Sequence, residues 1–238
     1  MERRLQPETD HFAQLDWQGE GLPVSRQFGD TYFSAAGGLA ETRHVFLAGN
    51  RLPERFRPGF CVAELGFGTG LNLLAAWSDW LTSGQTGQLS YVGFEAFPVP
   101  SSAMERVFAQ WPELSELSRK LIAFWSDGGT RLQTASLDAE IIIGDARETV
   151  EAWDGAADAW FLDGFSPSCN PELWEAELLR SVAVRTVPNG TFATYTSAGH
   201  VRRRLGASGF SVCRTPGFGR KRHMTRGWKA GPGIRARQ

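Results

Sequence analysis

The 238-residue sequence predicts an α/β fold, a mostly parallel, doubly wound sheet with an antiparallel C-terminal hairpin, preceded by an N-terminal extension. Three observations lead there. Short apolar runs at 60–66, 89–95, 139–145, 157–165 and 191–196 alternate with helix-forming stretches, the order expected of parallel βαβ units. Four of these runs carry an acid at or near their end, Glu64, Glu95, Asp145 and Asp163. The first run opens onto Gly66, Gly68 and Gly70 and then onto Leu71-Asn72-Leu73-Leu74-Ala75-Ala76-Trp77, which reads as strand, tight turn, helix.

Residues 1–22 read as a polar arm. Aromatic and β-favouring residues around turns fill 23–34, and 41–47 suits either a strand or a helix start. The expected division is an N-terminal extension, 1–58, made of a small hairpin and an irregular segment, followed by the sheet-bearing unit, 59–238. Pro53 and Pro58-Gly59 punctuate the passage between them. The first strand leads into a helix at 69–82, and Gly84 to Gly87 turn the chain into the second. Residues 101–111 and 114–124 read as helical, 146–153 as a short helix, and 171–186 as a helix capped by Asn170 with Pro171 in its first turn. Asn189-Gly190 turns into the fifth strand, and a helix at 197–208 stops at Gly209. Residues 210–214 and 224–228 pair as the closing hairpin around a 216–222 loop, and the last ten residues read as frayed.

Composition narrows the class. Hydrophobic and charged contents of 42% and 21% are those of a globule with a sizeable core. No apolar run approaches the ~20 residues of a membrane span, and the N-terminus lacks the apolar stretch of a signal peptide. Cys61, Cys169 and Cys213 are widely spaced, which points to a reduced, cytoplasmic setting without a disulfide frame. His11, His44, His200 and His223 show no metal-ligand spacing, so no metal is expected. The net charge of −1 hides an asymmetry: residues 1–177 hold all 26 acids, whereas 178–238 hold none and carry 13 Lys/Arg. A basic end of this kind points to a polyanion such as nucleic acid, unless the two halves neutralise each other across the fold.

The chemistry is expected at the carboxyl ends of the strands, where open α/β sheets bind ligands. The spacing E-x-G-x-G-x-G, from Glu64 to Gly70, differs from the dinucleotide pattern G-x-G-x-x-G. It is the pattern of Rossmann-like methyltransferases that use S-adenosyl-L-methionine (SAM), although a Gly-rich turn also occurs without a ligand. On that reading Gly66, Gly68, Gly70 and Asn72 border the donor, and Glu64 orients the glycine loop or meets the donor through water. Glu95 accepts hydrogen bonds from the ribose hydroxyls, and Asp145 with Ala146 meets the adenine. Asp163-Gly164-Phe165-Ser166-Pro167 is the candidate reaction loop. Asp163 would border the donor and also attract, align and deprotonate an amine, while Phe165 would pack on a base or a cationic centre. The same residues would also serve a plain helix-entry turn. Arg202, Arg203, Arg220, Lys221 and Arg222 form the candidate surface for phosphates.

Several stretches run together in family order: Pro23-Val24-Ser25-Arg26, Tyr32-Phe33-Ser34, Glu41-Thr42-Arg43, Gly66 to Asn72, Phe94-Glu95 with Phe97-Pro98, Trp160 to Phe165, Thr196 to Gly199 with Val201-Arg202-Arg203, and Gly217 to Arg222. Over roughly 20–228 the chain resembles the methyltransferase domain of the MnmC family, in its stand-alone, MnmD-like form. The resemblance implies SAM-dependent N-methylation of the 5-aminomethyl group of (2-thio)uridine at the tRNA wobble position. Asp163 would then face the amine and the arginine clusters would meet the anticodon arm. Full-length family members continue into an FAD-dependent oxidase; the expectation here is that this step is absent or supplied by a separate protein. Cys169 stands where many relatives have Lys. Two other readings remain open: a SAM methyltransferase acting on a protein or small-molecule amine, and a non-enzymatic RNA-binding module.

Overall fold

The computed structural model of the chain describes residues 12–126 and 128–231. The expectations for 1–11 and 232–238, His11 included, lie outside the described residues. In chain order the elements are a hairpin of β1 (Leu15–Gln18) and β2 (Leu22–Ser25), α1 (Gly38–Thr42), β3 (Cys61–Leu65), α2 (Leu71–Thr82), β4 (Leu89–Glu95), α3 (Ser101–Phe108), α4 (Ser115–Ser126), β5 (Arg131–Gln133), β6 (Leu137–Ile143), α5 (Ala146–Ala152), β7 (Ala157–Leu162), α6 (Ala176–Val184), β8 (Thr186–Thr194), α7 (Gly199–Ala207), β9 (Phe210–Pro216) and β10 (His223–Lys229).

One sheet has the order β5-β6-β4-β3-β7-β8-β10-β9. Strands β6, β4, β3, β7 and β8 pair in parallel, and β5 joins β6 antiparallel at one edge. The C-terminal hairpin is present, with one refinement. Strand β10 inserts between β8 and β9 and runs antiparallel to both, so β9 runs with the parallel strands. The α7 crossover carries the chain from β8 past that gap before β10 fills it.

Helix α2 follows the glycines because Leu73, Leu74, Ala76, Trp77 and Trp80 recur on its inward side and are all buried. Trp77 and Trp80 are each 1% exposed; burying ~200 Å² of aromatic surface stabilises by roughly 5 kcal/mol per ring before entropy is counted. On this side of the sheet α2, α3 and α4 form one apolar layer with residues 45–60, since Val45, Phe46, Leu47, Leu52 and Phe56 share its buried cluster. The packing therefore does not divide at residue 58. Segment 38–50 is helical throughout, α1 running into a π turn at Arg43–Leu47 and a 3-10 turn at Ala48–Asn50. Asn50 locks it to the sheet, donating to the Trp160 carbonyl at 3.2 Å and accepting from the Thr191 hydroxyl at 2.6 Å. The opposite layer holds α5, α6 and α7 against Trp160, Leu162 and Phe192.

Two local expectations differ. Asn170-Pro171 precedes a 3-10 turn, Glu172–Trp174, and α6 starts only after Glu175. Asn189-Gly190 lies inside β8, where the pairing with β7 jumps from Ala157↔Thr186 to Ala159↔Thr191. Asn189 adopts φ 63°, the left-handed value that asparagine tolerates.

Candidate active site

A cavity of about 620 Å³ opens at the carboxyl ends of β3, β4 and β7. Of the residues singled out from the sequence, Gly66, Gly68, Asn72, Glu95, Asp145, Ala146, Asp163, Phe165 and Lys221 line it. Glu64, Gly70, Arg202, Arg203, Arg220 and Arg222 are not among its lining residues.

The glycine loop is shaped by its own packing. Gly66 has φ 74°, and a Cβ there would lie 2.9 Å from the Cα of Gly164. Only a residue without a side chain lets the first loop pass this close to the reaction loop. Gly70, at φ 81°, is the N-cap residue of α2, and a Cβ on it would strike Leu121 and Phe67. Its requirement is internal to the fold.

Glu95 closes β4. Its Oε2 accepts the Gly68 N–H at 2.7 Å and its Oε1 accepts the Phe97 N–H at 2.8 Å. Burial raises its pKa, and these backbone bonds oppose the rise. Each oxygen keeps a second lone pair, enough for a diol.

Asp145 sits at the N-cap of α5, accepting the Arg147 N–H at 2.9 Å. Both its oxygens also accept from the Arg147 guanidinium, at 2.5 to 3.0 Å. The Arg147 hydrogen bonds hold its carboxyl below the usual range. The acid read as an adenine contact is thus already engaged in a cap and an ion pair at the cavity edge.

Glu64 lies one residue inside the end of β3 and is fully buried. Side chains alternate across a strand, and Glu64 points into the α2 layer rather than over the rim. It accepts from Asn72 Nδ2 at 2.6 Å and from the Tyr91 hydroxyl at 2.6 Å. Burial, and then the nearby Asp163, push its pKa well up.

Asp163 follows β7 directly. Its Oδ2 accepts from Asn72 Nδ2 at 2.7 Å and its Oδ1 from the Gly164 N–H at 2.8 Å. Burial pushes its pKa up to about 7, against those two bonds. Phe165 stacks on Phe28 with centroids 4.7 Å apart and meets Tyr32 edge-on at 5.0 Å. One face of the ring expected to pack on a base is therefore covered by Phe28. Asp30 fastens this loop from the N-terminal segment, accepting the Ser166 N–H at 2.9 Å. The Tyr195 hydroxyl donates to the Gly164 carbonyl at 2.8 Å.

The basic residues separate. Lys221 turns to the cavity, its Nζ 3.0 Å from Glu41 Oε1 and 3.8 Å above the Tyr195 ring. Arg220 and Arg222 flank it on the surface. Arg203 is exposed on α7, close to Gly199 at the helix start, whereas the Nε of Arg202 is buried with no hydrogen-bond partner among the described residues. Among the described residues no cluster of His, Cys, Asp or Glu is arranged to hold a metal, and no helix is long and apolar enough to cross a membrane.

Residue-by-residue reading assigned no role to Asp30, Tyr32, Glu41, Thr42 or Tyr195, all of which line the cavity. Asp30, Tyr32, Glu41 and Thr42 come from the N-terminal part, which shows no clear helix or strand period, and Tyr195 from the expected fifth strand. The family resemblance signalled Tyr32, Glu41 and Thr42, through Tyr32-Phe33-Ser34 and Glu41-Thr42-Arg43, and gave no signal for Asp30 or Tyr195.

SAM suits this donor set. Glu95 offers free lone pairs to a diol, the glycine loop allows close approach to the main chain, and the first turn of α2 has N–H groups with no intrahelical partner. Comparisons with known proteins agree. A family profile described as S-adenosyl-L-methionine-dependent methyltransferase matches residues 112–230. The tRNA 5-methylaminomethyl-2-thiouridine biosynthesis bifunctional protein MnmC of Caulobacter vibrioides is 47% identical over 229 residues, covering 93% of this chain and 38% of that protein. Its namesake from Chromobacterium violaceum is 45% identical over 235 residues, with 94% and 36% covered. The chain thus spans little more than a third of the length of these relatives. The crystal structure of MNMC2 from Aquifex aeolicus matches with a TM-score of 0.72 at 25% identity, covering 96% of this chain and 74% of that one. Spermidine synthase of Thermotoga maritima, at TM-score 0.53 and 15% identity over 99% of this chain and 84% of that one, shares the fold. With that profile spanning half of its length, the chain belongs to the S-adenosyl-L-methionine-dependent methyltransferase family.

Proposed function

We propose that this methyltransferase N-methylates the 5-aminomethyl group of (2-thio)uridine at the wobble position of tRNA, with Asp163 as the group that receives the amine. The observation that carries this reading is the Asp163 carboxyl, held at the cavity wall by Asn72 and Gly164 with a pKa of about 7. The names of the MnmC relatives supply the substrate class.

SAM, when bound, supplies an electrophilic methyl on a sulfonium. The protein must present a neutral nitrogen to it. A primary alkylamine is mostly protonated near neutral pH and has no free lone pair. Ionised Asp163 attracts that ammonium, orients it and accepts one proton, a transfer favoured by a base whose pKa lies near the working pH. With SAM bound, the nitrogen freed in this way would form the N–C bond as the C–S bond breaks and its electron pair stays on sulfur. Glu95, Gly66 and Gly68 hold the donor in this reading, with Asp145 and Ala146 at its adenine end. Arg203, Arg220 and Arg222 meet the phosphates of the anticodon arm, and Phe165, backed by Phe28, offers one face to the base.

The test is transfer of label from radiolabelled SAM to tRNA carrying the aminomethyl group, followed by nucleoside mass spectrometry. One added methyl on that nucleoside is the expected product. No label on that tRNA, or labelling indifferent to tRNA and salt, overturns the assignment.

A further inference from the structure

The side chain of Asn72, read from the sequence as a neighbour of the cofactor, has no hydrogen-bond donor left to offer one. Its amide carries two N–H bonds. One goes to Glu64 Oε1 at 2.6 Å and the other to Asp163 Oδ2 at 2.7 Å, while its Oδ1 accepts from the Thr42 hydroxyl at 2.8 Å. Exchange of its ends would set a carbonyl oxygen against Asp163 in its ionised form, so this orientation of the amide is the one that matches an ionised Asp163. Asn72 is 5% exposed and its anchor Glu64 is 0% exposed. Tyr91 completes the chain by donating to Glu64 Oε2 at 2.6 Å.

We propose that Asn72 is a positioning residue for Asp163, pinned by Glu64 and Thr42 so that one N–H fixes the carboxylate which receives the amine. The role of Asp163 rests on the function proposed above; the geometry of the holder does not. An N–H aimed at Asp163 favours its ionised form, in opposition to burial. It also fixes the orientation of the carboxyl group, since the Gly164 N–H takes Oδ1 and Asn72 takes Oδ2. The charged and titratable groups around Asp163 come from five elements or their flanks: Glu64 on β3, Tyr91 on β4, Glu41 on α1, Tyr195 after β8 and Lys221 after β9. Asn72 stands among them as a neutral group hydrogen-bonded to two acids at once.

The experiment follows the Asp163 carboxyl by carbon-13 NMR titration, assigned with Asp163→Asn, in wild type, Asn72→Ala and Thr42→Val. SAM affinity by calorimetry and kcat on aminomethyl tRNA are measured alongside. In Asn72→Ala the Asp163 midpoint should rise by up to about one pH unit, a tenfold change in ionisation at fixed pH. The SAM Kd should stay within about threefold and kcat should fall at least about tenfold, the loss expected when general-base help is misaligned. Thr42→Val removes only the bond at the amide oxygen; it should move the midpoint in the same direction by less, and it serves if Asn72→Ala does not fold. A SAM Kd weakened tenfold or more in Asn72→Ala, with the Asp163 midpoint unmoved, would return Asn72 to cofactor binding and overturn the proposal. So would a midpoint unchanged in both variants. Failure of wild type to methylate the tRNA overturns the substrate reading instead, and leaves titration and affinity to decide the role of Asn72.

Discussion

Replacing Asp163 by Asn should change how stability depends on pH, and the size follows from the site. The Asp163 carboxyl has a pKa of about 7 in the folded chain, against 3.8 for an ordinary Asp. Below about pH 4 it is protonated folded and unfolded alike, so it adds no pH dependence. Between those values the folded state holds a proton that the unfolded state has lost, and stability falls as pH rises. Above about 7 the whole cost of ionising a buried carboxyl is felt. A shift near three units corresponds to at most about 4 kcal/mol. The amide that replaces the carboxyl in Asp163→Asn cannot ionise. Such a side chain loses an acceptor at the Gly164 N–H, but that cost does not vary with pH. The gap in unfolding free energy between Asp163→Asn and wild type should therefore grow in favour of the variant by up to about 4 kcal/mol from pH 4 to pH 8. Urea titrations at half-unit intervals, without SAM, measure it; acids remote from Asp163 cancel in the difference, whereas Glu64, whose pKa Asp163 helps to raise, is relieved in the variant and moves the gap in the same direction. Parallel stability curves for the two proteins would refute the reasoning, because they would mean that the Asp163 carboxyl titrates as if exposed.

Two further perturbations have defined outcomes. Gly66→Ala places a Cβ at φ 74° and 2.9 Å from the Gly164 Cα, so it should destabilise by roughly 1–3 kcal/mol and weaken SAM binding; calorimetric scanning and a SAM titration check both, and wild-type values in both would contradict the close approach of the two loops. The combined change of Arg203, Arg220 and Arg222 to Ala should leave SAM affinity unchanged but lower the slope of log affinity for tRNA against log salt by about 2, at roughly 0.7 to 0.9 per lost phosphate contact; an unaltered slope would remove these side chains from the RNA surface.

Much of the frame was legible because local chemistry dictates it. Apolar runs of strand length, helix formers between them and glycines at a sharp turn act over a few residues, and β3, α2, β4, β6 and β7 fall where those signals lie. The N-terminal part was harder. α1 spans five residues and runs into a five-residue π turn, too short and too irregular for a 3.6-residue period to emerge. What fixes that segment is distant: Asn50 to β7 and β8, Glu41 to Lys221, Thr42 to Asn72.

By itself the sequence determined the alternation of strands and helices, the glycine turn and the acids at or near four strand ends, because hydrophobic period, backbone freedom and residue order are local properties. Only the tertiary structure decided what each acid does. Glu95 and Asp163 border the cavity, Asp145 is engaged by Arg147, and Glu64, two residues short of Glu95 and Asp163 in the strand register, is sealed beneath the rim. The physical reason is that a carboxyl group takes its role from the donors and burial around it, and those arrive from parts of the chain that meet only when it folds.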